Sequence, residues 1–217
     1  MTSWTFETTE IANTFDSHVR EQLPWYDMVT DAVVYITKNY LCENTNVIDI
    51  GASTGNMIEK LMPLLVERSS YIIGIEKSES MGEILEKKFA NTSNVYLEIE
   101  NVFDIDIPVG QVYILFLTLM FIPVSMRKLL LERIKESCEV GGVIIVVDKV
   151  CDHNGYFSTV LKRLTWNQKL LQGATSEDIL KKEMSLAGVQ IPIDPTLLGD
   201  AKQFFRMGEF AGWVIEV

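Results

Sequence analysis

Two short segments carry residue types that could hold a nucleotide-like ligand. The first is VIDIGASTGNM, residues 47–57, in which an apolar run ends in Asp49 and leads into a turn with Gly51 and Gly55. Glycine is favoured where the backbone must approach a ligand closely or take a positive φ. The residues after Gly55 have helical spacing, and the first N–H groups of a helix attract electron-rich groups. The pattern predicts a ligand-binding loop after a buried strand.

An acidic residue at a matching distance extends this pattern. Glu76 follows the apolar run of YIIGIEKSESM, residues 71–81, and lies 25 positions after Gly51. A carboxylate at the end of the second strand can accept hydrogen bonds from both hydroxyls of a ribose. The loop has Ser53 where a dinucleotide loop needs its second glycine, and a hydroxyl suits an amino-acid head group. The two segments therefore favour S-adenosylmethionine (SAM) over NAD.

The elements that position these residues alternate between apolar runs and helix-length segments. Short apolar runs bounded by turn residues predict the buried strands of a mostly parallel α/β sheet with helices on both faces. Ser78 and Ser176 are expected to cap helices. The glycine pair 141–142 is expected to break the chain before the last run. The predicted strands cover residues 47–50, 71–75, 95–99, 112–117 and 143–147.

Three further segments complete one predicted domain over residues 1–217. A helical lead-in covers residues 1–45, and a helical insertion covers about 153–194. Residues 203–207 and 212–217 have the pattern of a closing antiparallel β-hairpin. The predicted fold is therefore a Rossmann-like α/β domain with a C-terminal hairpin and a helical insertion.

Composition restricts the classes of partner. The chain has 217 residues and a formal net charge of −11. Proteins that bind phosphate backbones usually carry basic patches, so we expect no tight binding to nucleic acid. No apolar run approaches the ~20 residues of a membrane span. The first residues, MTSWTFETTE, lack the features of a signal peptide, so we predict a cytoplasmic location. Three scattered cysteines and two histidines predict no metal site.

Longer motifs resemble a known family. IDIGASTGN, IIGIEKSESM and GGVIIVVDK are similar to class I SAM-dependent methyltransferases. FDSHVREQLPWYDMV, ILFLTLMFIP, GATSEDILKKEMSLAGVQIPID and FFRMGEFAGWVIEV resemble more specifically the carboxy-SAM synthases, which serve the modification of wobble uridine in tRNA. The resemblance implies the class I methyltransferase fold, SAM as cofactor and a homodimer formed through the insertion.

The resemblance also implies the positions of the cofactor contacts. Tyr26 matches a tyrosine of the lead-in that closes over the ligand. Asn101 stands where the family has an acid beside adenine, and its amide carbonyl can still accept a hydrogen bond from the adenine amine. The expected cofactor-binding residues are Gly51, Ala52 and Ser53 at the methionine part, Glu76 and Lys77 at the ribose, Asn101 and Val102 at adenine, and Tyr26, Asp49, Gly55 and Phe116 around them.

The substrate side departs from the family pattern. Phe116 replaces an asparagine, and residues 195–205 replace a longer helical connection. Glu183 replaces the arginine that clamps the extra carboxylate of carboxy-SAM in the family. Because two anions repel, we expect SAM to bind better than carboxy-SAM, unless Lys181 or Lys182 supplies a point charge. The substrate-side candidates are Glu183, Lys182 and Trp166.

These features predict an enzyme, a methyltransferase-like SAM-dependent transferase that acts on a small molecule or an exposed nucleotide. Transfer from an activated sulfonium depends mainly on proximity and alignment, so we assign no catalytic side chain. Two alternatives stay open. The resemblance favours a carboxy-SAM synthase that uses SAM and prephenate. The changes at Phe116 and Glu183 favour a SAM- or SAH-binding regulatory protein without catalysis.

Overall fold

The computed structural model describes residues 9–151, 153 and 155–217. Residues 1–8, where the sequence predicts the start of the lead-in and no signal peptide, lie outside the described part, as do Asp152 and Asn154. The strands are β1 (Asn46–Ile50), β2 (Tyr71–Ile75), β3 (Val95–Glu98), β4 (Gly110–Phe116), β5 (Cys138–Lys149), β6 (Lys202–Met207) and β7 (Phe210–Glu216). The helices are α1 (Thr9–Gln22), α2 (Tyr26–Tyr40), α3 (Asn56–Glu67), α4 (Glu79–Phe89), α5 (Val124–Ser137), α6 (Tyr156–Leu171) and α7 (Ser176–Ser185), with 3₁₀ turns at Leu119–Phe121 and Pro195–Leu198.

The seven strands form one sheet in the order β3-β2-β1-β4-β5-β7-β6. Strands β1 to β5 pair in parallel, and β7 runs antiparallel to both β5 and β6. The predicted mostly parallel sheet with a closing antiparallel hairpin is confirmed. The strand order reverses between β1 and β4, and α/β sheets bind ligands at the carboxyl ends of the strands beside such a switch point.

The central strands are buried on both faces, which is why they form unbroken apolar runs in the sequence. Ile114 and Ile145 face an apolar layer shared with α2 and α3, whereas Tyr113 and Ile144 face a layer shared with α5. Burial of each such aliphatic side chain contributes roughly 1.5–3 kcal/mol. The two layers hold the carboxyl ends of β1 and β4 in fixed positions.

Strand β5 begins earlier than the sequence indicates. Gly141 and Gly142 lie inside the strand instead of breaking the chain, and the register with β4 shifts between Gly110 and Val112. Gly141 has a φ of 80°, which a glycine adopts at little cost. The predicted break was wrong because a bulge can accommodate such a residue within a paired strand.

One of the two predicted helix caps is confirmed and the other is wrong by one residue. Ser78 caps α4 as expected, since its hydroxyl accepts a hydrogen bond from the Met81 N–H. The cap of α7 is Thr175 instead of Ser176. The Thr175 hydroxyl and the Asp178 carboxylate exchange hydrogen bonds with each other's backbone N–H groups, and this capping box outcompetes a single serine.

Helices α6 and α7 occupy the region of the predicted insertion, and the short connection after it contains only the turn Pro195–Leu198. Within the described part of the chain, every helix is too short or too polar to cross a bilayer. The described residues also contain no cluster of three or more histidine, cysteine or acidic side chains that could bind a metal ion.

Candidate functional site

A cavity of about 1610 Å³, its open mouth included, lies at the carboxyl ends of β1, β2 and β4. The glycine loop before α3 lies against it, and α1, the turn after β4, α6 and α7 also contribute side chains to its lining. Gly55 and Trp166 are the two expected site residues that do not line it. The expected residues that do are Tyr26, Asp49, Gly51, Ala52, Ser53, Glu76, Lys77, Asn101, Val102, Phe116, Lys182 and Glu183.

The glycine loop is shaped by two residues with positive φ angles near 80°. At Gly55, the residue before α3, a Cβ atom would lie 2.5 Å from the Phe89 ring. At Gly51 it would lie 2.7 Å from the Thr118 hydroxyl oxygen. Both glycines are therefore required by the turn, and Gly55 acts through the shape of the loop instead of by lining the cavity.

Glu76 joins the glycine loop to the end of β2. Its Oε2 accepts a hydrogen bond of 2.9 Å from the Ser53 N–H, and its Oε1 accepts one of 2.8 Å from the Ser78 N–H. These bonds fix the orientation of the carboxylate. Each oxygen keeps a second lone pair, which can accept a hydrogen bond from a ligand hydroxyl. Ser53 has a φ of 54°, a conformation that residues other than glycine rarely adopt, so the loop stores strain beside the cavity.

Asp49 presents a buried carboxylate oxygen that no described residue hydrogen-bonds. It is the penultimate residue of β1 and is 1% exposed, and its Oδ2 has no hydrogen-bond partner among the described residues. Burial and, to a smaller extent, the charge of Glu76 raise the pKa of Asp49 to about 7. A buried, unpaired carboxylate is costly. It fits a cationic ligand group, such as the ammonium of an amino-acid head group.

Helix α1 covers the cavity through polar contacts that the sequence analysis missed. Asp16 accepts hydrogen bonds from the Thr54 hydroxyl and the Asn56 amide, which tie α1 to the glycine loop. Asn56 also donates to the Tyr26 hydroxyl. Tyr26 packs edge-on against Phe116 with 5.4 Å between ring centroids, so Phe116 has an aromatic partner instead of a polar one.

The loop after β3 supplies an additional acid. The Asn101 amide oxygen accepts a hydrogen bond of 3.1 Å from the Phe103 N–H, which leaves one lone pair for a ligand. Glu100 also lines the cavity, and its Oε1 accepts a bond of 2.9 Å from the Asn101 N–H. An acid is therefore present one residue before the position at which the resemblance expected it.

The insertion end of the cavity contains three lysines on three elements. Lys149 ends β5, Lys169 lies on α6 and Lys182 lies on α7. Glu183 places its two carboxylate oxygens 3.7 Å from the Lys149 Nζ and 3.8 Å from the Lys169 Nζ. The Lys182 Nζ lies 2.8 Å from Nε2 of His18 on α1. Glu183 is therefore paired with two lysines that are distant in the sequence, neither of which is Lys181 or Lys182.

Burial changes the proton affinity of this group. Desolvation lowers the pKa of Lys169, and it lowers that of Lys182 to about 8, with the charge of Lys169 as a smaller cause for Lys182. Burial, followed by the charge of Lys182, also lowers the pKa of His18. The neighbouring Lys181 is exposed. Trp166 lies outside this group, with the Lys162 ammonium 5.1 Å from the centre of its ring.

Comparison with known proteins gives relatives along almost the whole chain, although no protein-family model matches it. The carboxy-S-adenosyl-L-methionine synthase of Staphylococcus epidermidis is 33% identical over 213 residues, which cover 97% of this chain and 89% of that protein. The enzyme of the same name from Ruthia magnifica is 27% identical over 206 residues, covering 94% of this chain and 84% of that protein.

Solved structures share the fold at low sequence identity. Human N-acetylserotonin methyltransferase in complex with SAM superposes with a TM-score of 0.64 and 14% identity, over 96% of this chain and 56% of that one. The DhpI–SAH complex superposes with a TM-score of 0.62 and 13% identity, over 95% of this chain and 91% of that one. The fold is thus that of class I methyltransferases. Given the relative at 33% identity, the chain belongs to the carboxy-SAM synthase family and is a methyltransferase-like transferase with SAM as its cofactor.

Proposed function

We propose that this chain makes carboxy-SAM by joining a carboxyl group from prephenate to the methyl carbon of SAM. The observation that carries the proposal is that one cavity has two ends of opposite charge. Asp49 and Glu76 lie at the end formed by the glycine loop, and the lysines lie at the end formed by the insertion. A cationic cofactor and an anionic carboxyl donor can therefore occupy the same cavity side by side.

The residues of the acidic end bind and orient in this proposal. SAM brings a methyl group already activated on a positively charged sulfur. Asp49 holds the ammonium of the methionine part, and Glu76 accepts from the ribose hydroxyls. Asn101 contacts the adenine amine through its remaining carbonyl lone pair. Tyr26 and Phe116 pack against each other and give the cavity an apolar wall beside these polar groups.

The reaction is tested by incubating the purified protein with SAM and prephenate. Mass spectrometry is expected to show a product heavier than SAM by the mass of CO₂. The carboxyl group leaves prephenate as CO₂ while the ring hydroxide departs, which leaves phenylpyruvate. The methyl group of SAM loses one proton as its carbon bonds to the CO₂ carbon, and that proton and the hydroxide form water. Phenylpyruvate and water should therefore form in equal amounts with carboxy-SAM. A reaction without prephenate is the control. If SAM binds and no carboxy-SAM forms, the proposed reaction is wrong, and transfer to another small molecule or an exposed nucleotide takes its place.

We also propose a homodimer formed through α6 and α7. Their outer faces carry an apolar stripe that is exposed within the described part of the chain, and a second copy would cover it. Leu161, on the same helix α6, is buried within the protomer and does not belong to the stripe. The exposed residues of the stripe are Tyr156, Phe157, Val160, Leu164, Leu171, Leu180 and Met184.

The dimer is tested by changing one residue of the stripe. Light scattering at micromolar concentration is expected to give twice the protomer mass for the wild type. Phe157→Glu should raise the dimer dissociation constant at least about tenfold, because an unpaired carboxylate in an apolar interface costs more than about 1.4 kcal/mol. Val140→Glu is the control, since Val140 is 96% exposed and lies on β5 away from the stripe. A monomeric wild type would contradict the dimer.

The proposed setting is the cytoplasm, where the product would serve the modification of wobble uridine in tRNA, as the family resemblance implies. The three cysteines support this compartment, since none forms a disulfide. The net charge of −11 supports a small-molecule reactant in preference to tightly bound nucleic acid.

A further inference from the structure

Two buried charged residues lie behind the wall of the cavity and contribute nothing to its lining. Arg127 on α5 is 3% exposed and Asp148 on β5 is 0% exposed. The other buried charged residues that the structure describes all line the cavity. Burial raises the pKa of Asp148, although hydrogen bonds from backbone N–H groups and, to a smaller extent, the charge of Arg127 oppose this shift. Because buried charge is costly, this buried pair needs a structural or functional reason.

Asp148 fixes the turn that follows β4. This segment, residues 117–122, is called the β4 turn below, and it contains the 3₁₀ turn Leu119–Phe121. The Asp148 Oδ2 accepts a hydrogen bond of 3.2 Å from the Met120 N–H, and its Oδ1 accepts one of 2.7 Å from the Lys149 N–H. The Leu119 N–H is a further donor to this carboxylate. The first N–H groups of a helical turn have no partner within it, so the carboxylate supplies the missing acceptors.

Arg127 fixes the other end of the same turn. Its Nε donates a hydrogen bond of 2.9 Å to the Ile122 carbonyl oxygen. Its other two nitrogens donate to the carbonyl oxygens of Ile191 and Pro192, at 2.7 and 3.1 Å. The Ile191 N–H donates in turn to the Met120 carbonyl oxygen. The guanidinium therefore joins the β4 turn to the connection that follows α7.

The backbone of the β4 turn is strained. Leu117 has a φ of 58°, a left-handed conformation that leucine rarely adopts. Such a conformation persists only where surrounding contacts enforce it. The Leu117 N–H donates a bond of 2.7 Å to the Val147 carbonyl oxygen, and the Thr118 hydroxyl donates one of 2.9 Å to that of Ile50. These bonds fix the start of the turn, and the buried pair fixes the rest.

The β4 turn extends from the cofactor loop to the insertion end of the cavity. Thr118 lies against Gly51, where an added Cβ atom would approach its hydroxyl oxygen to 2.7 Å. In the connection that Arg127 joins to the turn, Gln190 accepts a hydrogen bond of 3.1 Å from the Lys149 Nζ. The cavity is lined here by Leu117, Thr118, Met120, Phe121, Ile122 and Gln190. The turn therefore forms the wall beside which the cofactor and the carboxyl donor would meet.

We propose that Arg127 and Asp148 are positioning residues of the carboxyl transfer, an inference that rests on the proposed function. Neither residue touches a reactant. Together they keep the β4 turn in its strained shape, and this shape aligns the methyl carbon of the cofactor with the carboxyl donor. A displacement of about 1 Å in such a wall can slow a reaction that depends on alignment up to about a hundredfold. The cofactor contacts of Asp49 and Glu76 come from other strands and do not depend on the pair.

The first experiment measures kcat and the dissociation constant of SAM for Asp148→Asn. The amide keeps one carbonyl oxygen for several backbone donors, so the β4 turn loses part of its support. At saturating SAM and prephenate, kcat should fall about tenfold to a hundredfold, whereas the dissociation constant of SAM should change by a smaller factor. Such a split distinguishes alignment from cofactor binding.

Tyr113→Phe is the matched control for a loss of stability alone. The buried Tyr113 hydroxyl forms hydrogen bonds to the carbonyl oxygens of Pro108 and Ser137, near the opposite end of β4, and it does not line the cavity. Its removal should lower the melting temperature and leave kcat unaltered. If Asp148→Asn also lowers the melting temperature and keeps the wild-type kcat, the carboxylate has only a structural role and the proposal is overturned.

Arg127→Lys tests the other member of the pair. Lysine keeps the positive charge, but a single ammonium does not reproduce the planar fork that reaches three carbonyl oxygens. The kcat of this variant should also fall about tenfold. The double variant should lose less than the product of the two single losses, because both residues act on one turn. Losses that multiply fully would contradict this shared action.

Hydrogen exchange tests the support of the turn without a reaction. The backbone amides of residues 117–122 should exchange about tenfold faster or more in Asp148→Asn and in Arg127→Lys than in the wild type. Tyr113→Phe should leave exchange in this segment unaltered. Exchange at the wild-type rate in both variants of the pair would overturn its hold on the turn.

The results separate the positioning role from the proposed function. If the wild type makes no carboxy-SAM, the proposed function is overturned together with the role in carboxyl transfer, and hydrogen exchange still tests the hold on the turn. If the wild type makes carboxy-SAM and both variants keep its kcat, the positioning role alone is overturned. If Asp148→Asn does not fold, the kcat and exchange rates of Arg127→Lys decide.

Discussion

Replacing Glu76 by alanine is expected to weaken SAM binding at least about tenfold, because charge-assisted hydrogen bonds are worth roughly 1.5–3 kcal/mol. Two effects of this substitution both weaken SAM binding. The ribose hydroxyls lose their acceptor, and the N–H groups of Ser53 and Ser78 lose the oxygens that hold the loop in its binding shape. Calorimetry on the purified protein measures the first effect, and the melting temperature without ligand reports the second.

Two further variants separate these effects. Glu76→Gln keeps a carbonyl oxygen that can accept a hydrogen bond from one loop N–H. Its melting temperature should therefore fall less than that of Glu76→Ala, although it should still bind SAM more weakly than the wild type. Glu79→Ala removes an exposed acid three residues away and should leave SAM affinity unchanged. An unaltered affinity in a folded Glu76→Ala protein would mean that the ribose does not bind at Glu76.

The fold was largely predictable because its signals are local in the sequence. Strands β1, β2, β4 and β5 appear in the sequence as largely apolar runs, and the glycine loop after β1 shows its turn chemistry directly. The edge strand β3, which the sequence predicts as buried, alternates between half-buried and exposed residues because only one side of it pairs with the sheet. The errors arose where a neighbouring element decides the outcome. Gly141 lies within a strand because pairing with β4 accommodates a bulge there, and Thr175 caps α7 because Asp178 completes its capping box.

The two ends of the cavity differ in how far the sequence could predict them. The acidic end consists of Asp49, near the end of β1, and Glu76, directly after β2, so the parallel pairing of these two strands brings them together. The basic end is assembled from Lys149, Lys169 and Lys182, which have no common spacing and meet only when α6 and α7 fold back over β5. The effect of Glu183 on ligand binding therefore cannot be predicted from the sequence alone, because it depends on the charged side chains that lie near it in the folded chain.

Asp49→Asn is expected to stabilise the ligand-free protein at pH 8 and to weaken its binding of SAM. The carboxyl of Asp49 has a pKa of about 7 in the folded chain against about 3.9 in an unfolded one. The folded state therefore holds the proton more tightly, so its stability falls as pH rises from about 4 to 7, and the full penalty applies above pH 7. A neutral amide removes this penalty, but it also removes the anion that faces the ammonium group.

The melting temperature of Asp49→Asn should accordingly exceed that of the wild type at pH 8, and the gap should narrow towards pH 5. Its dissociation constant for SAM should rise about tenfold or more. Asp148→Asn is the matched control, since Asp148 is also buried with a pKa raised to about 7 by burial. Its oxygens accept hydrogen bonds from the Met120 and Lys149 N–H groups, so the amide loses an acceptor and the melting temperature should fall. If the melting temperature rises in Asp49→Asn and falls in Asp148→Asn, Asp49 is a carboxylate that the fold keeps available for a ligand. If the melting temperature falls in both variants, Asp49 does not have that role.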